Sequence, residues 1–381
     1  MVFDNKCSIT KGVEYMSSPK IHYFLRPDLS TLPPIMTQLT TMNKFKYEII
    51  FYSYALKKEL IEYLNEMGIK VILNKEKEYR ASNILQMVWK SNSFMNFSKK
   101  HLRGIPLDDI VWIGSADTAI WMGKNVRNRK FIYNIYELYD RFPLHLFMFK
   151  KYAQKATQVV VSERNRAYIL RSWWKLDKTP IVIPNIPYYK ESNVKYVIPE
   201  EVQRLINFGK KLFIYQGWIG KDRDITNFAK ALQIIDNDDF YLVLMTPPNT
   251  EEIAKIKNLY SRTISIGYVS PPNHLEITRL GYIGIAMYDY SSLNNIFCAP
   301  NKIYEYSKFK VPIITNDLPG FIDTVGKSCA GVCVSFDNVS NVINSINEIH
   351  NNHIVYANNC EKLYNSANLL GIFEEILESV V

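Results

Sequence analysis

A lysine and a glutamate three residues apart, in a segment that opens with small residues and a proline, give this sequence its clearest chemical signal. The run NNIFCAPNKIYEYSKFKVPIITND covers residues 294–317. Pro300 suits the first turn of a helix, and Cys298 and Ala299 ahead of it keep the space above the helix end open. The leading N–H groups of a helix have no partner within it, and together with the helix dipole they form a pocket for an anion. Ala299, Pro300 and Asn301 are expected to line that pocket, with Lys302 in the first turn beside the anion. Glu305 lies on the same face at i+3. A cation for phosphate and a carboxylate for sugar hydroxyls would then stand one turn apart. The plainer account is an ordinary surface Lys–Glu pair.

A second run, YQGWIGKDRD at residues 215–224, reads as a strand end, a turn and the start of a helix. Gly217 lets a ligand approach the backbone closely. Trp218 sits in the turn, and Lys221 and Arg223 flank the helix. A guanidinium can hold two phosphate oxygens at once. A charge pair 4 Å apart contributes about 4 kcal/mol at an effective dielectric near 20, before desolvation. Two such cations would dominate the binding of a diphosphate. Taken alone, the run also reads as a solvated loop.

Carboxylates that could move a proton fall where strands of the first half end. Glu137 and Asp140 follow a strand in YELYDR, and Asp117 follows another in GSADTA. Catalytic groups collect at such strand ends in parallel sheets. Glu163, after VVVS, is a further candidate. Each reads equally as a helix cap or a surface acid. The chain has six His, none in either run above. No metal site and no cofactor are expected. Cys329 and Cys333 lack the partners that zinc spacing needs.

These residues must be held by elements, and the hydrophobic pattern supplies them. Short apolar runs at 21–25, 47–52, 69–73, 109–114, 130–137, 157–162 and 179–185 read as strands, with amphipathic stretches between several of them. The pattern restarts at 211–217 and continues at 240–246, 263–269, 282–288, 311–317 and 331–336. Alternating strands and helices imply a parallel sheet covered on both faces. The fold class is therefore α/β, with two Rossmann-like domains facing across a cleft. The expected domains are residues 1–190, a linker at 191–210, a second domain at 211–365 and a final helix at 366–381, which is placed to cross back to the first domain.

The two runs together resemble the donor domain of GT-B glycosyltransferases, in particular family four enzymes of bacterial surface-polysaccharide assembly. The likeness rests on YQG, an Arg six residues on, and APNKIYEY with VPIITND about 75 residues beyond. It is good over residues 211–336, fair over 131–187 (IYELYD, VVVSERNRA, IVIPNIP) and poor over the first hundred. It implies that Arg223 and Lys302 grip the diphosphate of a nucleotide sugar, that Glu305 contacts the ribose, and that the loop around Tyr268 carries the base. It also implies a glycan or lipid-linked acceptor. The chain departs from the pattern at Phe297, eight residues before Glu305, where the family often has a carboxylate for the donor sugar. Asn294 or Asn295 would stand in for it. The Gly-rich loop frequent after the first strand is also replaced, by RPDLSTLPP. An inverting enzyme would need one of the carboxylates above as a base; the resemblance leans toward retention. Positive side chains and a helix end, rather than a metal, would stabilise the leaving diphosphate.

Charge divides the chain. Residues 1–190 hold 30 basic against 16 acidic residues, a balance of +14, whereas residues 191–381 hold 16 against 21, a balance of −5. The basic half could meet an anionic membrane surface or an acidic acceptor. Apolar–basic stretches such as LHLFMFKKYA and RSWWK add to that reading, although they serve equally as core. No nucleic-acid module is visible. No run of about 18 apolar residues appears, and the N-terminus lacks a signal-peptide core. Five cysteines, an odd number, are expected to be free thiols. The expected location is the cytoplasm, with peripheral contact at the inner face of the membrane. Two other readings stay open: a sugar-nucleotide epimerase or hydrolase, and a non-catalytic nucleotide-sugar-binding subunit.

Overall fold

The computed structural model describes residues 19–75, 84–188 and 196–380. Cys7, the N-terminal segment read as lacking a signal, and residues 191–195 of the expected linker lie outside the described residues.

Two parallel sheets carry the chain. The first has seven strands: β1 (Ile21–Leu25), β2 (Ile49–Ser53), β3 (Lys70–Leu73), β4 (Ile110–Ile113), β5 (Phe131–Ile135), β6 (Gln158–Val161) and β7 (Ile181–Val182). Their order is β3-β2-β1-β4-β5-β6-β7. The second has six: β8 (Lys211–Gln216), β9 (Phe240–Met245), β10 (Thr263–Ser265), β11 (Ile283–Ala286), β12 (Ile313–Thr315) and β13 (Gly331–Cys333), in the order β10-β9-β8-β11-β12-β13. Most of these strands are largely apolar and buried at nearly every position because helices cover both faces, leaving no solvent side for alternation. Each sheet is thus packed between two apolar clusters.

In each sheet the strand order reverses once, between β1 and β4 and between β8 and β11. At such a reversal the loops after the two strands turn in opposite directions and leave a crevice at the carboxyl ends. In the first domain that crevice is occupied by an ion pair: Arg26, after β1, contacts Asp117, after β4, at 3.0 Å. In the second domain the crevice lies beside Gly217 and Tyr288.

The last helix, Leu369–Glu378, returns to the first domain. Phe373 stacks on Trp112 of β4 at 5.6 Å and 20°, and Ile376 and Leu377 are buried in the same cluster as β1 and β2. Several helices have no counterpart in the sequence reading: Pro33–Met42, Ile84–Gly104, Ala116–Met122, Glu200–Asn207, Val339–Asn351 and His353–Asn365. Pro33 and Pro34 look like breakers but occupy the first helical positions, where a missing N–H costs nothing. Val339–Asn351 is rich in Asn, a weak helix former, and is held by Val342, Ile346 and Ile349 on the second domain's core.

Candidate functional site

The helix Asn301–Lys308 is fixed by a missing side chain on the neighbouring strand. Tyr306 lies flat over Gly284 of β11, so close that a Cβ there would come within 2.5 Å of the ring. The Tyr306 hydroxyl donates to the carbonyls of Ile214 (2.9 Å) and Ile285 (3.2 Å), which ties the helix to both strands flanking the crevice. The amino end of the helix therefore opens at the point where the strand order reverses. Pro300 is its N-cap, and no side chain among the described residues caps it.

Lys302 and Arg223, 79 positions apart in the chain, meet at one ring. Lys302 Nζ stands 4.8 Å from the ring centre of Tyr215 and 5.7 Å from that of Tyr288. The Arg223 guanidinium stands 4.6 Å from the centre of Tyr288. Lys302 is only 7% exposed, and its ammonium has no hydrogen-bond partner among the described residues. Burial, and then repulsion from Arg223, lowers its pKa to about 7. The aromatic faces offset part of that cost. Gly217 closes the crevice from the β8 side. Its φ of 112° suits glycine, and a Cβ there would lie 3.5 Å from Lys302 Nζ. A cation left without a carboxylate, beside a second cation and an uncapped helix start, makes a pocket for a doubly charged anion.

Glu305 is buried one turn further on, and its two oxygens are both engaged. One accepts from Gln216 Nε2, and the other lies 3.1 Å from His274 Nε2. Gln216 in turn accepts from Thr278 Oγ1 at 2.9 Å. The carboxylate is thus held rigid at the crevice wall, with unused lone pairs for a further donor.

The remaining expected residues divide between the crevice and the opposite domain. Tyr268 is 61% exposed in the loop after β10, and Trp218 is also exposed, its carbonyl accepting from Tyr215 OH at 2.6 Å. The Ala299 carbonyl accepts from Asn185 at 2.7 Å, and Asn301 is the first helical residue. Asn295 donates to Asp289 at 2.7 Å, while the side-chain oxygen of Asn294 accepts from Leu138 N at 3.0 Å across the cleft. Phe297 packs on the core of the first domain.

Among the acids, Asp117 bonds Arg26 and accepts from Ser115 at 2.6 Å. Glu163 caps its helix through Asn165 N and Arg166 N, at 2.8 and 2.9 Å, and burial raises its pKa despite those bonds. Asp140 accepts from Leu293 N and Asn294 N of the second domain, at 2.9 and 3.2 Å. Glu137 keeps a half-exposed carboxylate 3.6 Å from Arg166, within electrostatic reach of Tyr288. Burial pushes the Tyr288 hydroxyl up to about 12, against the opposing pull of Arg223.

Tyr215, Gln216, His274, Tyr288 and Arg166 were not singled out in the sequence. Gln216 and Tyr215 stand in the YQG run itself. Tyr288 gave no signal, because its place beside Arg223 depends on β11 pairing with β8 some 70 residues earlier.

No family model and no curated protein sequence matches the chain. Solved structures do. Alr3699/HepE of Anabaena, in complex with UDP and glucose, gives a TM-score of 0.67 at 11% identity, over 95% of this chain and 99% of that one. A glycosyltransferase from Rickettsia africae gives 0.63 at 16%, over 95% and 97%. A TarM variant of S. aureus, in complex with fondaparinux, alpha-GlcNAc-glycerol and UDP, gives 0.66 at 12%, over 95% and 99%. The fold is GT-B. In this GT-B chain both sheets and the returning last helix are present. The two cations, Lys302 and Arg223, lie in its second domain, beside Tyr288.

Proposed function

We propose that this protein is a glycosyltransferase that takes a sugar from a nucleotide-diphosphate donor. The observation that carries the reading is the convergence of Lys302 and Arg223 on Tyr288 at the open start of the helix Asn301–Lys308. A buried ammonium without a carboxylate is costly in the free protein and is relieved by an anion. The donor diphosphate is that anion in our reading, and its accumulating charge in the transition state strengthens the same contacts. UDP is bound in two of the similarly folded proteins above, which makes it the first nucleotide to test.

Glu305, held by Gln216 and His274, is read as the ribose acceptor, with the Tyr268 loop over the base. Lys302, Arg223 and the helix start stabilise the leaving group without a metal. Glu137 is read as the carboxylate that meets the acceptor hydroxyl if the course is inverting. A retaining course, in which the donor phosphate takes that proton, leaves Glu137 to orient the sugar. The acceptor is read as a glycan or lipid-linked sugar of bacterial surface-polysaccharide synthesis, held by the basic first domain. Contact with an anionic membrane belongs to the same reading. The helix Pro143–Ala153 buries Phe149, Tyr152 and Ala153 but exposes Leu144 and Phe147, next to exposed Phe142. Among the described residues no helix is long and apolar enough to cross a membrane.

The test is a panel of UDP-, GDP-, ADP- and CMP-sugars screened by thermal shift, followed by nucleotide release in the presence of acceptor glycans. Arg223→Ala and Lys302→Ala should each weaken nucleotide binding by about 10- to 100-fold, as expected for loss of a charged hydrogen bond. Full affinity in both variants would refute the assignment.

A further inference from the structure

The second domain contains a short helix, Leu293–Ile296, whose two ends are completed by charges of the first domain. At its start the Asp140 carboxylate accepts from Leu293 N (2.9 Å) and Asn294 N (3.2 Å). At its finish Arg166 donates from Nε to the Phe297 carbonyl (2.7 Å) and from Nη2 to the Asn294 carbonyl (3.0 Å). A third Arg166 bond, from Nη1, anchors the guanidinium to the carbonyl of Tyr136 in its own domain. The signs are those a helix dipole favours, an anion at the amino end and a cation at the carboxyl end. Four residues are too few for a helix to persist unaided. Within its own domain this one is also held by Ser292 Oγ, which accepts from Asn295 N at 3.1 Å, by Asp289, which accepts from the Asn295 side chain at 2.7 Å, and by Ile296 against that domain's core. The Asn294 side chain and the Phe297 ring also reach across to Leu138 and the first domain's core.

We propose that Asp140 and Arg166 are positioning residues, which fold the segment 293–297 when the two domains close and thereby set the helix start that carries Lys302. Three residues separate Phe297 from Asn301, so a shift of the segment is transmitted directly. The far side is rigid: Gly320 lies so close to Cys298 that a Cβ there would approach its carbonyl to 2.5 Å. From the opposing domain, Asn185 holds the next carbonyl, that of Ala299, at 2.7 Å. The segment is therefore clamped between fixed backbone on one side and the opposing domain on the other. Only the last step, from segment to Lys302, rests on the nucleotide-sugar reading. The clasp itself does not.

Hydrogen exchange on the full-length protein tests this, with Asp140→Ala and Arg166→Lys as the variants. The lysine keeps a charge yet lacks the planar fork that spans the three carbonyls Arg166 bonds. Asp140 is only half-buried, so its variant is expected to fold. The amides of Leu293 and Asn294 should exchange about tenfold faster or more in both variants, with the helices Thr226–Ile235 and Leu369–Glu378 unchanged. UDP should slow exchange across 289–299 in the parent protein and fail to do so in the variants. With an identified donor, kcat should fall about tenfold or more, and UDP affinity should weaken with it though less than in Lys302→Ala, because the segment sets the place of Lys302. Unchanged exchange at Leu293 and Asn294 in both variants overturns the proposal. If the variants loosen 289–299 but UDP has no effect even on the parent protein, the clasp stands and the donor assignment fails.

Discussion

At the scale of single residues, the ammonium of Lys302 is the most informative group. Its unfolded value of 10.5 falls to about 7 in the fold, first through burial and then through Arg223. Between those two values the unfolded chain binds more protons than the native one, so this group makes the free protein more stable as pH rises from about 7 toward 10.5. Below about 7 the full cost of the buried charge is present. Lys302→Met should therefore raise stability at pH 6–7 by about 1–3 kcal/mol in denaturant unfolding without ligand. Ligand binding has the opposite sign. A diphosphate prefers the charged form, so nucleotide affinity should be flat below about pH 7 and fall as pH rises above it. Isothermal titration at pH 6, 7 and 8 checks this, and proton uptake should accompany binding at pH 8. A pH-independent affinity would mean that Lys302 does not touch the phosphate.

At the scale of elements, the crevice depends on how closely the helix Asn301–Lys308 approaches β11. Gly284 permits that approach, since its missing Cβ leaves room for the Tyr306 ring. Gly284→Ala should force the ring and its helix outward. The expected cost is about 1–3 kcal/mol of stability, together with weaker nucleotide binding, although residue 284 contacts no ligand in our reading. Denaturant unfolding alongside a UDP titration would separate the two effects. Loss of stability without loss of affinity would show that the helix start keeps its place by other contacts. The same element explains why Glu305 is rigid: Gln216, on β8, and His274, from the stretch after β10, reach it from two sides.

At the scale of the whole molecule, the chain order and the domain order differ. The last helix leaves the second domain and completes the core of the first through Phe373 on Trp112. Phe373→Ala should cost about 3–5 kcal/mol, since the ring is fully buried. Its effect should appear in the first domain, more than 200 residues away in sequence. Hydrogen exchange in β1 and β4 is the measurement, and unaltered exchange there would show that the crossing adds little. The crossing also keeps the domains tethered at both ends, by the connection before β8 and by this helix.

Local pattern was enough for the two parallel sheets, because buried strands in an α/β chain are short apolar runs wherever they fall. It also singled out Lys302 and Arg223 as candidates, since a Pro-led helix start and a Gly turn are written in a few adjacent residues. Long helices such as Ile84–Gly104 escaped notice because polar Ser and Asn interrupt their apolar face, and only packing on Val111, Phe131 and their neighbours reveals it. What tertiary structure alone decided was which groups meet. Tyr288 joins the two cations because β11 pairs with β8. Asp117 is held by Arg26, and Asp140 is drawn to the other domain, while Glu137 is left half-exposed at the cleft. Local sequence carries each residue's chemistry and its element. The partner that saturates a carboxylate or leaves it available is set by strand order and domain contact, which depend on residues a hundred positions apart.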